Sequence, residues 1–165
     1  MAGRHLPEHW QGSFLGNDFR ANRTVRYELE ESGSGYRAEE VETVLHSSHR
    51  SFRPVDIKMG PRGAIYVVDW YNAIIDHGEV DFYHPLRDKS HGRIWRITAE
   101  DRPLLSVPAI TGAPLQDLLD LLKTREPYTR TQVKRELASR PGGGMMKPVL
   151  EWVENLDRAD PHFEH

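Results

Sequence analysis

One pattern constrains this chain more than any other. A short apolar segment ends in Asp-aromatic, and the next apolar segment opens on Arg-x-x-Arg; the pair occurs twice. Leu15-Gly16-Asn17-Asp18-Phe19 aligns with Tyr66-Val67-Val68-Asp69-Trp70 at an offset of 51 residues. Arg23-Thr24-Val25-Arg26-Tyr27 aligns with Arg93-Ile94-Trp95-Arg96-Ile97 at an offset of 70. The offsets differ by 19 residues, which is extra loop in the second copy, Tyr71 to His91. Repeats of about 40–50 residues made of short strands point to propeller blades. A closed propeller takes about 4–8 blades, so residues 1–98 are expected to supply about two blades of an incomplete one.

Strand composition supports that expectation. Segments 13–19, 24–29, 64–70 and 93–97 are short, aromatic and β-branched. Ser32-Gly33-Ser34-Gly35 and Pro61-Arg62-Gly63 read as turns. The regime changes near residue 100. Residues 99–113 hold Pro103, Pro108 and Gly112 and read as a linker. Beyond it, Leu115, Leu118, Leu119 and Leu122 fall on one helical face. Pro114 suits a first helical turn. Val133 and Leu137 mark a second helix near 128–139, and Met146, Val149, Leu150 and Val153 a third. The expected fold class is a mainly β N-terminal part followed by an α-helical segment over 114–165.

Composition excludes several function classes. Net charge is −3, with 22 basic and 25 acidic residues, and no basic patch, which argues against nucleic acid as a partner. No apolar run reaches the roughly 18 residues that a membrane span needs. The first eight residues show no apolar core of a secretory signal. There is no cysteine, so this chain has no disulfide, no thiolate metal site and no covalently attached haem.

Chemistry-bearing residues gather in two stretches. The long loop holds His77, Glu79, Asp81, His84, Arg87, Asp88 and His91. Imidazoles and carboxylates together can move protons or bind a divalent cation. His77, Glu79 and Asp81 alternate, which on an extended backbone aims them to one side. The second stretch, His46 to Asp56, holds His49, Arg53 and Asp56. The expected catalytic set is His49, Arg53, Asp56, His77 and Arg87; the expected metal ligands are Glu79, Asp81 and Asp88. The competing reading is structural: the loop charges pair with Arg87, Lys89 and Arg93, Asp56 caps a turn and pairs with Arg53, and Asp18 and Asp69 bond loop amides. The C-terminal pair His162 and His165 is expected to be solvent-exposed.

Two strings carry a family resemblance. One is Phe52-Arg53-Pro54-Val55-Asp56-Ile57-Lys58-Met59-Gly60-Pro61-Arg62-Gly63-Ala64-Ile65-Tyr66-Val67-Val68-Asp69-Trp70-Tyr71-Asn72. The other is His77-Gly78-Glu79-Val80-Asp81-Phe82, followed by Arg87-Asp88-Lys89 and His91-Gly92-Arg93-Ile94-Trp95-Arg96. Over residues 3–98 the chain resembles the membrane-bound dehydrogenases of the sorbosone-dehydrogenase-like propeller group. Over 118–165 it is similar to the start of the HEAT-like repeats that follow the propeller in those proteins. The resemblance implies a six-bladed propeller, then helical repeats, then a cytochrome domain on a Cys-x-x-Cys-His tail that this chain lacks. It implies a periplasmic or cell-envelope oxidoreductase acting on a sugar or alcohol, with pyrroloquinoline quinone and Ca2+ as cofactors. On that footing the chain is a fragment, inactive alone. The alternative is a non-enzymatic binding module, since propellers and helical repeats both offer broad surfaces.

Overall fold

In the computed structural model the repeat becomes two antiparallel sheets of three strands each. The structure describes residues 3–76 and 78–159. The first sheet has the order β1 (Phe14–Asp18), β2 (Arg23–Ser32), β3 (Gly35–His46). The second has the order β4 (Pro54–Met59), β5 (Ile65–Asp69), β6 (Arg93–Ile97). The two copies share one register. Asp18 faces Arg23 and Leu15 faces Arg26 across β1 and β2. Asp69 faces Arg93 and Tyr66 faces Arg96 across β5 and β6. In each copy the strand-end aspartate bonds the arginine that opens the next strand, at 3.4 Å for Asp18–Arg23 and 2.7 Å for Asp69–Arg93.

Sequence patterning anticipated four of the six strands. β3 and β4 were not expected. β3 carries Glu39, Glu40 and Glu42 and is exposed over most of its length, so no apolar alternation marks it. β4 opens on a proline, and its Asp56 closes a stretch dense in His, Ser and Arg that carries no strand signal. Propeller blades have four strands; these sheets have three and do not close on themselves.

The core lies where the sheets meet the N-terminal segment. Leu6 and Trp10, flanking and ending a short 3-10 turn at Glu8–Trp10, pack with Leu15, Ile65 and Val67. Ile57, Met59, Val44, Leu45 and Ile97 surround them. Gly63 shows why the β4–β5 turn needs glycine. Its φ is +83°, and a Cβ there would lie 2.6 Å from the Cβ of His5.

The segment after β6 folds back on the N-terminus. His5 is buried, and both its ring nitrogens are engaged. Nε2 accepts the Ala99 N–H at 3.2 Å, so the proton sits on Nδ1, which donates to the Pro103 carbonyl at 3.1 Å. The Leu105 N–H donates to the Arg62 carbonyl at 3.1 Å. Three helices follow: α1 (Leu115–Leu121), α2 (Pro127–Ser139) and α3 (Met146–Glu154). Leu118 and Leu119 of α1 and Val133 of α2 are fully buried. The expected inward face of α3 is largely exposed instead, with Met146, Leu150 and Val153 all open to solvent.

Arg4 joins the β part to α2. Its Nε donates to Glu126 Oε1 at 2.8 Å, and its backbone N–H to the same oxygen at 3.3 Å. The Thr124 hydroxyl donates to the other carboxylate oxygen. Burial alone would push the Glu126 carboxyl up, but the bonds from Arg4 and Thr124 outweigh it and hold the pKa at about 2. A depressed carboxyl stabilises the fold fully above its unfolded value, about 4.3. That contribution fades as pH falls toward the folded value. Acid denaturation should therefore soften between about pH 4 and 2 in Glu126→Gln relative to the parent, as read by circular dichroism titration. An unchanged pH profile would show that the clamp does not link the two parts energetically.

Candidate functional site

Asp69 ends β5 and is 1% exposed. Its Oδ1 accepts the backbone N–H of Arg53 at 2.8 Å and of Tyr71 at 3.0 Å. Its Oδ2 accepts Arg93 Nε at 2.7 Å and the Trp95 indole N–H at 3.2 Å. Burial pushes this carboxyl up; the four donors more than offset it and leave it below the usual aspartate range. One side chain thus fixes the start of β4, the exit of β5 and the start of β6.

Tyr71 sits directly on this hub. It takes a left-handed backbone at φ +55°, uncommon for a bulky residue. Its ring packs against three groups. The Arg93 guanidinium carbon lies 4.2 Å from the ring centroid, His49 stacks at 5.5 Å, and His91 meets it edge-on at 5.8 Å. Arg93 Nη2 is buried with no hydrogen-bond acceptor.

Arg53 reaches the other way, into the first sheet. It is 8% exposed. Its Nη1 donates to the Phe19 carbonyl at 2.8 Å and to Asn22 Oδ1, while Nε donates to the Asn72 carbonyl at 3.1 Å. Asn22, itself at φ +58°, donates from Nδ2 to the His49 carbonyl at 3.0 Å. The turn after β1 and the segment after β5 are therefore held by one guanidinium.

The long loop is stapled by its own side chains. Arg87 Nε donates to the Asp81 carbonyl at 3.0 Å, and Nη2 to the carbonyls of Val80, at 2.9 Å, and Asp76. Asp81 Oδ1 accepts the Tyr83 N–H at 2.7 Å. Asn72 Nδ2 donates to the Asp88 carbonyl at 3.3 Å. Asp88 Oδ1 accepts the N–H groups of Ser90 and His91, each at 2.9 Å, and its Oδ2 lies 2.8 Å from His91 Nδ1. The Ser90 and His91 amides and the His91 ring hold the Asp88 carboxyl down at about 2. Asp88 thereby orients an exposed imidazole. With Nδ1 on the carboxylate, Nε2 is the ring nitrogen left outside that contact.

The expected site residues fall into distinct places. His49 lies against Tyr71, with Nδ1 accepting the Ser51 N–H at 3.2 Å. Arg53 and Arg87 commit their donors to main-chain carbonyls. Asp56 sits in β4, where its carboxylate accepts Lys58 Nζ at 2.7 Å and the Ile57 N–H at 2.8 Å, and it does not pair with Arg53. The Lys58 and Ile57 bonds hold its carboxyl below the usual range. Glu79 is exposed. Among the described residues no three His, Asp or Glu side chains gather as a metal would need, so Glu79, Asp81 and Asp88 are not brought together as a ligand set. His77, His162 and His165 lie outside the described residues. The structure instead centres the cluster on Asp69, Tyr71, Arg93 and Trp95. The repeat had marked Asp69 and the Arg93 position; nothing in the sequence signals the left-handed backbone at Tyr71.

The fold and this cluster define a mainly β unit built from a repeated Asp–Arg strand pair, with helices after it. Residues 1–101 match the family described as Domain of unknown function (DUF7133), and the chain belongs to that family. No curated protein and no solved structure matches it. No helix among the described residues is long and apolar enough to cross a membrane.

Two outcomes follow for stability and order. Asp69→Asn turns one acceptor oxygen into a donor that faces other donors, so it should cost about 2–3 kcal/mol in denaturant unfolding; a loss under about 0.5 kcal/mol would remove Asp69 from its central position. Arg87→Ala should free the carbonyls of Asp76, Val80 and Asp81, and limited proteolysis should then cut within residues 78–91 well before the parent is cut there.

Proposed function

We propose that this chain is part of a larger propeller-type oxidoreductase of the kind that its Phe52–Asn72 and His91–Arg96 motifs resemble, and that it is catalytically silent alone. The supporting observation is the shared register of the two sheets, each with a strand-end aspartate clamped to an arginine. Repeated sheets with this spacing suit blades. Exposed apolar side chains point the same way: Phe14 is 55% and Ile94 70% exposed, on sheets that further sheets would cover. The helical segment 114–165 is then the opening of a HEAT-like array.

Among the described residues, the side chains named for the quinone and calcium expected from the resemblance are not gathered into one cradle. Arg53 and Arg87 are committed to carbonyls, and Glu79, Asp81 and Asp88 form no ligand set among the described residues. No chemical step is therefore routed through either group here. Cofactor binding and oxidation of a sugar or alcohol are assigned to the assembled parent, in a periplasmic or cell-envelope setting.

A second reading, a non-enzymatic binding module, is favoured by the same arginines. Guanidinium groups that bond several main-chain carbonyls each suit a rigid scaffold rather than proton traffic. One experiment separates the two. The chain joined to its neighbouring coding sequence is assayed for pyrroloquinoline quinone binding and for dye reduction with aldoses and alcohols. The oxidoreductase reading expects quinone binding and turnover in the joined protein and neither in residues 1–165 alone. Absence of both in the joined protein would leave the scaffold reading.

A further inference from the structure

The repeat also tells which strand each sheet lacks. Because β1 matches β5 and β2 matches β6, the sheets are offset by one strand. The first sheet continues past its Arg-x-x-Arg strand into β3. The second has β4 before its Asp strand and, among the described residues, no strand paired on the far side of β6.

The first sheet shows what belongs on that edge. β3 supplies Glu40, which takes both Nη atoms of Arg23 at 2.6 and 3.2 Å, and Glu42, which takes Arg26 Nε at 3.0 Å. The matching arginines of the second sheet lack such partners. Arg93 Nη2 is buried without an acceptor. Arg96 is exposed, and no carboxylate of the described residues pairs with it. Two independent features therefore mark the same edge: an unpaired strand and two guanidinium groups short of the carboxylates their counterparts have.

We propose that the free edge of β6 receives an antiparallel strand of polypeptide carrying Glu-x-Glu, equivalent to the Glu40-Val41-Glu42 stretch of β3. Backbone bonds supply attachment, and two charge-assisted pairs to Arg93 and Arg96 set register and selectivity. The inference rests on the internal repeat. It names a partner for the propeller reading but does not need the oxidoreductase assignment, and its test reads no redox activity.

The probe is a synthetic peptide with the sequence of residues 37–47, added to the full chain. Binding is followed by amide hydrogen exchange and by titration up to about 1 mM peptide. Expected are slowed exchange across residues 93–97 and an affinity that falls at least about tenfold in Arg96→Glu. A peptide with Glu40 and Glu42 both replaced by glutamine should bind the parent equally weakly. Arg96 is exposed, so an unchanged melting curve confirms that the variant is folded. A peptide with lysine at the Glu42 position should recover binding to Arg96→Glu. No binding, protection confined to β2, or affinity indifferent to Arg96 and to both glutamates would each overturn the proposal.

Discussion

The structure depends on one buried carboxylate. Asp69 lies at the point where β4 begins, β5 ends and β6 begins, and it accepts four hydrogen bonds from four residues. A charge this deep is tolerable because every lone pair has a donor and one donor is cationic. Its first-sheet counterpart has a lighter task. Asp18 is half-exposed and bonds the Ala21 amide and Arg23. The same motif thus closes a four-residue turn in one sheet and anchors a long loop in the other. The extra donors that the second copy needs come from Tyr71, Trp95 and the start of β4.

Much of this was legible before any coordinates. The repeat of Asp-aromatic and Arg-x-x-Arg located β1, β2, β5 and β6, and the structure adds that the Asp and Arg of each copy are cross-strand partners. α2 was visible from Val133 and the residues around it. What was missed lacks a local signal. β3 is a strand because β2 offers it an edge, and its glutamates are neutralised by arginines 16 and 17 residues away. α3 showed a clear apolar face, yet burial depends on a neighbour, and there that face stays largely open.

The candidate site taught a narrower lesson. Composition marked Arg53 and Arg87 as chemical groups, since a long loop rich in charge attracts that reading. An arginine has five donors, and a loop without regular structure has many carbonyls to satisfy. Sequence cannot tell which demand wins. Here the carbonyls do. The imidazole of His91, by contrast, gains its orientation from Asp88 three residues earlier, a spacing that was on the page all along.

The contacts of the first few residues impose an order of events in time. His5 is bonded to a carbonyl 98 residues away and Arg4 to a carboxylate 122 residues away. Contacts of such long sequence separation form late and slowly. The segment from Arg4 to Trp10 can dock only once both sheets and the start of α2 are in place. Trp10 and Leu6 meanwhile need Ile65 and Val67 to complete their core. That segment is therefore the last element to settle, and until it does Leu15, Ile65 and Val67 stand without their apolar cover.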